Sequence, residues 1–306
     1  MSRKAVLALV ILAVVVLSVV VLVLVPVTGE VGAGTDAVAV VRLAGPIQDS
    51  VSPSLFGGGA ITPDLLRDRL ELAEESPRVK AVVVRLDTPG GAVAASQEMA
   101  GMVREFPKPL VISMGDLAAS GGYYVSSQAD RIVAQPGTLT GSIGVIWATS
   151  DVEGLLDKLG VEIEAVTAGE HKDMFLPGRL TPERRRILQQ MVDTMYDQFV
   201  STVAEGRELE EDRVRELATG QLYTGERALD LELVDVLGGL DEAVDEAESL
   251  AGIEDAEVVE LTPTFFEQLF SGPGLGELRL LLGNAVLPEE VILLREFLNG
   301  YLIPRY

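Results

Sequence analysis

The chain has 306 residues, enough for one large or two modest domains, and 48% of them are apolar. Its net charge of −23 argues against a nucleic-acid partner, whose phosphates need clustered Lys and Arg, and against docking on anionic lipid headgroups. No cysteine and a single histidine, His171, exclude disulfides, thiol nucleophiles and multi-histidine metal sites, and neither a metal nor another cofactor is expected. The basic residues are 19 Arg and only 5 Lys. An acidic, lysine-poor surface fits a halophilic protein, because high salt screens its self-repulsion.

In chain order, the first element is Ala5–Val27, apolar throughout apart from Ser18. As a helix it would reach about 34 Å, enough for a hydrocarbon core of roughly 30 Å. Arg3 and Lys4 precede it, while Glu30 and Asp36 follow. The positive-inside rule then predicts a single-pass protein of the cell membrane, with a cytoplasmic N-terminus and the remainder exported. Residues 1–30 are read as this anchor, residues 31–250 as a catalytic domain, and residues 251–306 as an apolar helical tail.

Beyond the anchor, β-branched runs alternate with helical patterns. Strands are predicted at Val38–Leu43, Ala81–Leu86, Leu110–Ser113, Arg131–Ala134, Val145–Ala148 and Val161–Val166. Several are nearly all apolar, as expected of strands covered on both faces. Thr62-Pro63-Asp64 opens a helix with a cap residue followed by proline, and Leu65, Leu66, Leu70 and Ala73 give it one apolar face. Thr181-Pro182-Glu183 opens a longer helix that Gly206 closes. Leu188, Met191, Met195, Phe199 and Val203 form its apolar stripe, read as core. The alternation predicts an α/β fold. In the tail, Phe265, Phe266, Leu269 and Phe270 cluster before further apolar runs that are too interrupted to span a bilayer.

Two glycine-bearing turns follow strands: Asp87-Thr88-Pro89-Gly90-Gly91 and Ala118-Ala119-Ser120-Gly121-Gly122. Acyl transfer requires a serine on a sharp turn at a helix start, with backbone N–H groups aimed at the developing oxyanion. Glycine permits that backbone geometry and close approach. Either motif alone also fits a plain turn or a helix cap, and Ala118 departs from the Gly-x-Ser-x-Gly elbow. A base is needed beside the serine hydroxyl. His171 lies only 51 residues after Ser120, too close for an intervening acid in hydrolase order. Lys172 is the stronger candidate, in the loop Gly169-Glu170-His171-Lys172-Asp173, although an ordinary surface lysine fits the same position. A lysine base must be dehydrated, because the free amine titrates near 10.4 and burial disfavours the ammonium. Asp173 would oppose that, so its carboxylate is expected to point away.

Ser120-Gly121-Gly122-Tyr123-Tyr124, Thr140-Gly141-Ser142-Ile143-Gly144-Val145, His171-Lys172-Asp173 and Tyr223-Thr224-Gly225-Glu226-Arg227-Ala228 occur in an order that resembles the signal peptide peptidase A family, in its short single-domain form. The resemblance runs from about Val38 to Glu248. It implies a Clp-protease-like, crotonase-type fold. It also implies Ser120 as nucleophile, Lys172 as general base, Ser142 as the serine that positions the lysine, and the amides of Gly91 and Gly121 as oxyanion donors. It further implies a homo-oligomeric ring in which serine and lysine can come from adjacent subunits. Thr88 stands where the family usually has Ser. The expected function is a membrane-anchored Ser/Lys endopeptidase that cleaves hydrophobic peptides such as remnant signal peptides. Two other classes remain: a crotonase-type acyl-CoA enzyme using paired amides without a serine nucleophile, and a non-catalytic membrane scaffold.

Overall fold

The computed structural model describes residues 35–50, 59–176, 178 and 180–261. Both the Ala5–Val27 segment and the apolar tail from residue 262 onward lie outside these residues. Among the described residues, no helix is long and apolar enough to cross a membrane.

The four apolar runs that open the domain all form strands: β1 (Ala37–Ala44), β2 (Val79–Thr88), β3 (Leu110–Ala119) and β4 (Arg131–Ala134). Each is parallel to its neighbour, with Val40 opposite Val83 and Val83 opposite Val111. Alternate side chains point to opposite faces. On one face Val41, Val84 and Ile112 join the larger core; on the other Val40, Val83 and Val111 join a smaller one. Burial on both faces explains why these strands show no polar alternation.

The larger face is covered by α1 (Pro63–Glu75), α2 (Val93–Glu105), α3 (Gly121–Ser126) and the C-terminal half of the 25-residue α5 (Pro182–Gly206). The smaller face is covered by α8 (Leu240–Ala251) through Ala243 and Ala247. Caps start α1 and α5 where the sequence places them. The Leu65 N–H donates to the Thr62 hydroxyl and the Arg184 N–H to the Thr181 hydroxyl, both at 3.2 Å. Shorter elements complete the chain: α4 (Glu153–Leu159), α6 (Glu211–Leu217) and α7 (Gly225–Asp230). The sheet extends past the composition change at Leu250, because β8 (Glu257–Glu260) pairs in parallel with β1.

One feature of the sheet positions the site. β3 serves two neighbours end to end. Its first half pairs with β4 and its last three residues pair with β5 (Leu139–Gly141). β5 in turn pairs with β6 (Leu222–Thr224), in the one antiparallel ladder among the described residues. The short β7 (Val236–Leu237) extends the β4 side.

Two predicted strands are absent. Val145–Ala148 and Val161–Val166 have no ladder partner among the described residues, and Val161–Val166 is exposed throughout. Ile146 and Val166 are 87% and 97% exposed. β-branched composition reports a preference for a pleated, half-buried surface, and the described residues supply no such surface to either segment.

Behind α3, Tyr123 is fully buried and its hydroxyl donates to the Leu233 carbonyl at 3.0 Å. Asp235 joins Arg207 in a two-pronged pair and accepts the Ile132 N–H at 2.7 Å. Burial pushes the Tyr123 phenol well above its ordinary value. The folded chain therefore holds a proton that the unfolded chain releases above about pH 10, so stability falls as pH rises past that point. Tyr123→Phe should flatten this alkaline slope. It should also cost about 1 kcal/mol at neutral pH by orphaning the Leu233 carbonyl, read by denaturant unfolding at pH 7 and above pH 10.

Candidate active site

Ser120 sits where β3 ends and α3 begins. Its backbone is held at φ 53° and ψ −120°, a region that a side chain rarely adopts. Two hydrogen bonds fix it there. The Ser120 N–H donates to the Gly141 carbonyl at 2.8 Å, and the Ser120 carbonyl accepts the Tyr124 N–H at 2.9 Å. The first comes from the end of β5 and the second from the first turn of α3.

The Thr88–Gly91 turn, at the end of β2, packs against this corner. Thr88 is fully buried and its hydroxyl accepts the Gly90 N–H at 3.1 Å, a bond that serine in its place would also make. A Cβ on Gly91 would stand 2.0 Å from the Ile47 carbonyl oxygen. A Cβ on Gly121 would stand 2.4 Å from Ser96 Oγ and 3.3 Å from the Gly91 nitrogen. Both positions need glycine because other groups already occupy the side-chain space. The same approach brings the Gly91 and Gly121 amides together. Neither N–H has a hydrogen-bond partner among the described residues.

These amides and Ser120 line a cavity of about 100 Å³. Tyr124, Met195 and Phe199 wall it, with Val145 and Ile146 at one side. The Tyr124 and Phe199 rings meet at 5.0 Å, and the Tyr124 hydroxyl is tied to the Thr202 hydroxyl at 2.8 Å. Met195, expected to be core, is a wall of this cavity. The first half of α5 overhangs the domain, and Leu188 is its one buried residue before Phe199.

Ser142 follows Gly141 directly. Its backbone is also at positive φ, 50°, and its N–H donates to the Gln221 carbonyl at 2.8 Å. The residues flanking Gly141 thus bring Ser120 and Ser142 to adjoining backbone. Lys172 stands apart. It lies on an exposed turn, where its N–H donates to the Gly169 carbonyl at 3.3 Å, and it is not among the cavity's lining residues. Its ammonium has no ion pair among the described residues. The neighbouring Asp173 carboxylate is engaged by Arg184. One group among the described residues has the spacing to hold a metal ion: Glu170, His171 and Glu183, with ligand atoms within 4.8 Å of one another and all three exposed. It does not line the Ser120 cavity.

The described chain therefore unites Ser120, Gly91 and Gly121, brings Ser142 alongside, and leaves Lys172 outside. The sequence profile of peptidase family S49 matches residues 103–254, which include Ser120, Ser142 and Lys172. The protein slr0021 of Synechocystis sp., described as a protease, is 43% identical over 190 residues, covering 61% of this chain and 68% of the relative. A protein of Enterococcus faecium described as the signal peptide peptidase SppA is 35% identical over 237 residues, covering 76% of this chain and 69% of the relative.

The chain belongs to peptidase family S49, the signal peptide peptidase A family.

Among solved structures, a serine-to-alanine variant of the 1510-N membrane-bound stomatin-specific protease superposes with a TM-score of 0.51 at 17% identity. That match covers 76% of this chain and all of the other, a likeness of fold. Family S49 membership identifies the chain as a serine protease on a mixed α/β sheet. Because the Ile47 carbonyl blocks any side chain on residue 91, Gly91→Ala should displace the turn that carries one amide. Peptide turnover should fall by about 100-fold or more, with the far-UV circular dichroism of the parent retained.

Proposed function

We propose that this S49 protease is a membrane-anchored endopeptidase with a Ser120/Lys172 dyad, acting on hydrophobic peptides such as remnant signal peptides. The observation that carries the reading is the Ser120 corner: a serine in a strained turn beside two amides with no partner among the described residues. In the proposed first step, the neutral Lys172 amine takes the Ser120 proton and Ser120 Oγ bonds to the scissile carbonyl carbon. The carbonyl π electrons move to oxygen, which the Gly91 and Gly121 N–H groups stabilise. Collapse of this adduct returns the electron pair to the carbonyl and expels the amine, which takes the proton from Lys172. Water, deprotonated by the Lys172 amine, then bonds to the acyl carbon; the Ser120 oxygen leaves, takes that proton back from Lys172, and the carboxylic acid departs. Ser142, next to Gly141, is the proposed hydrogen-bond partner that positions Lys172.

An amine on an exposed turn needs a cover before it can act as a base, since water favours its charged form. A second copy of the chain in a homo-oligomeric ring is the proposed cover. Exposed Ile146, Val161, Ile163, Val166 and Phe175 supply apolar surface for it around the same turn. The Ala5–Val27 segment is the proposed anchor, with the catalytic domain exported. The apolar Tyr124, Met195 and Phe199 walls suit a hydrophobic substrate.

The full chain in detergent with a fluorogenic apolar peptide tests this. Ser120→Ala and Lys172→Ala should each lower turnover by roughly 1,000-fold or more. Co-assembly of the two inactive variants should restore part of the activity if a site draws its serine and lysine from different copies. Turnover that survives either single substitution would sink the dyad.

A further inference from the structure

Ser96, in the first turn of α2, plays no part in the mechanism above. It is 2% exposed and lines the Ser120 cavity beside Val93, Met195 and Phe199; the Tyr124 hydroxyl, the other one on a lining residue besides Ser120's own, is already tied to Thr202. Its Oγ lies 2.4 Å from the point that a Cβ on Gly121 would occupy, and that point is 3.3 Å from the Gly91 nitrogen. The hydroxyl and the two amides therefore face one small space. We propose that the Ser96 hydroxyl is a third hydrogen-bond donor to the oxyanion that forms when Ser120 attacks a substrate carbonyl. The inference rests on the Ser120 reading given above and adds a residue to it.

A helix-interior serine ordinarily returns its proton to the carbonyl one turn back, and Ser96 does so, donating to the Ala92 carbonyl at 2.9 Å. That carbonyl also accepts the Ser96 N–H at 3.0 Å, so it keeps a partner when the hydroxyl turns away. Rotation about the Cα–Cβ and Cβ–Oγ bonds therefore frees the hydroxyl without leaving that carbonyl unpaired. A neutral bond to a carbonyl is exchanged for a charge-assisted one to an oxyanion, which is shorter and stronger. Burial adds to the difference, because a charge developing away from water is weakly screened. Helix propensity alone favours alanine at such a position, and alanine would remove the contact to Gly121.

The test uses the full chain in detergent and an apolar peptide substrate. Ser96→Ala should lower kcat by about 10- to 100-fold, less than the loss of a fixed amide donor because two remain. KM should stay within about 3-fold, as for a group that acts on the transition state. A peptide aldehyde, which forms a tetrahedral adduct on Ser120, should lose affinity by the same factor as kcat, while the matching peptide alcohol should bind unchanged. Ser96→Thr keeps the hydroxyl and should recover most of kcat, which a loss of packing would not allow. A Ser96→Ala enzyme within about 2-fold of the parent kcat overturns the proposal, as does an equal loss for aldehyde and alcohol. A Ser96→Thr enzyme as slow as Ser96→Ala, with the parent's thermal melt, overturns it too. Ser120→Ala run alongside separates the two readings: an inactive Ser120→Ala beside a fully active Ser96→Ala removes Ser96 alone, and an active Ser120→Ala removes both.

Discussion

The hydrogen bond from the Ser120 N–H to the Gly141 carbonyl is the constraint on which the rest of the site depends. It joins the last residue pair of the β3–β5 ladder to the residue that follows β3. A side chain at φ 53° carries strain of order 1–3 kcal/mol, and it persists only where its surroundings over-determine it. Here the ladder holds one side and the first turn of α3 the other. The same peptide link leads into Ser142, which is also at positive φ, 50°. One crossing of two short backbone segments thus sets the directions of both serines. The Thr88–Gly91 turn then needs only to lie against this crossing to bring the second amide in.

The residues packed around Ser120 are buried, whereas the segment bearing Lys172 is exposed. Ser96, Gly121 and Tyr124 are buried, while α4 contributes no buried residue and Val161–His171 is exposed throughout. Arg184, reaching back from α5 to Asp173, and the stacking of Phe175 on Trp147 at 5.5 Å both hold the lysine turn. The ion pair engages the carboxylate next to Lys172. Lys108 caps the end of α1 through the Ala73, Glu74 and Ser76 carbonyls.

Much of this was legible in the residues themselves. β1, β2, β3 and β4 declare themselves because burial on both faces makes each a continuous apolar run, and the Thr-Pro-acid starts of α1 and α5 carry their own caps. Gly91, Ser120 and Gly121 could be picked out because a turn of that tightness tolerates few other residues. What stayed hidden has specific causes. β5, β6 and β7 are two or three residues long, too short for a period. β8 reads Glu-Val-Val-Glu, which is neither an apolar run nor a helix face, and its place beside β1 is a matter of tertiary pairing. Val145–Ala148 and Val161–Val166 look like strands because composition records the wish for a covered surface, not whether the same chain provides one. Met195 and Ser96 sit on helix faces where core and cavity wall have the same periodicity.

The division of β3 between β4 and β5 has a consequence for how the molecule breathes. Both ladders are three pairs long, but the β3–β4 half lies between two helical layers, whereas the one under Ser120 leads into an equally short antiparallel pair. Cooperative opening of so few pairs demands much less than unfolding the sheet. The Ser120 corner therefore rests on pairings that can open while the parallel strands stay intact.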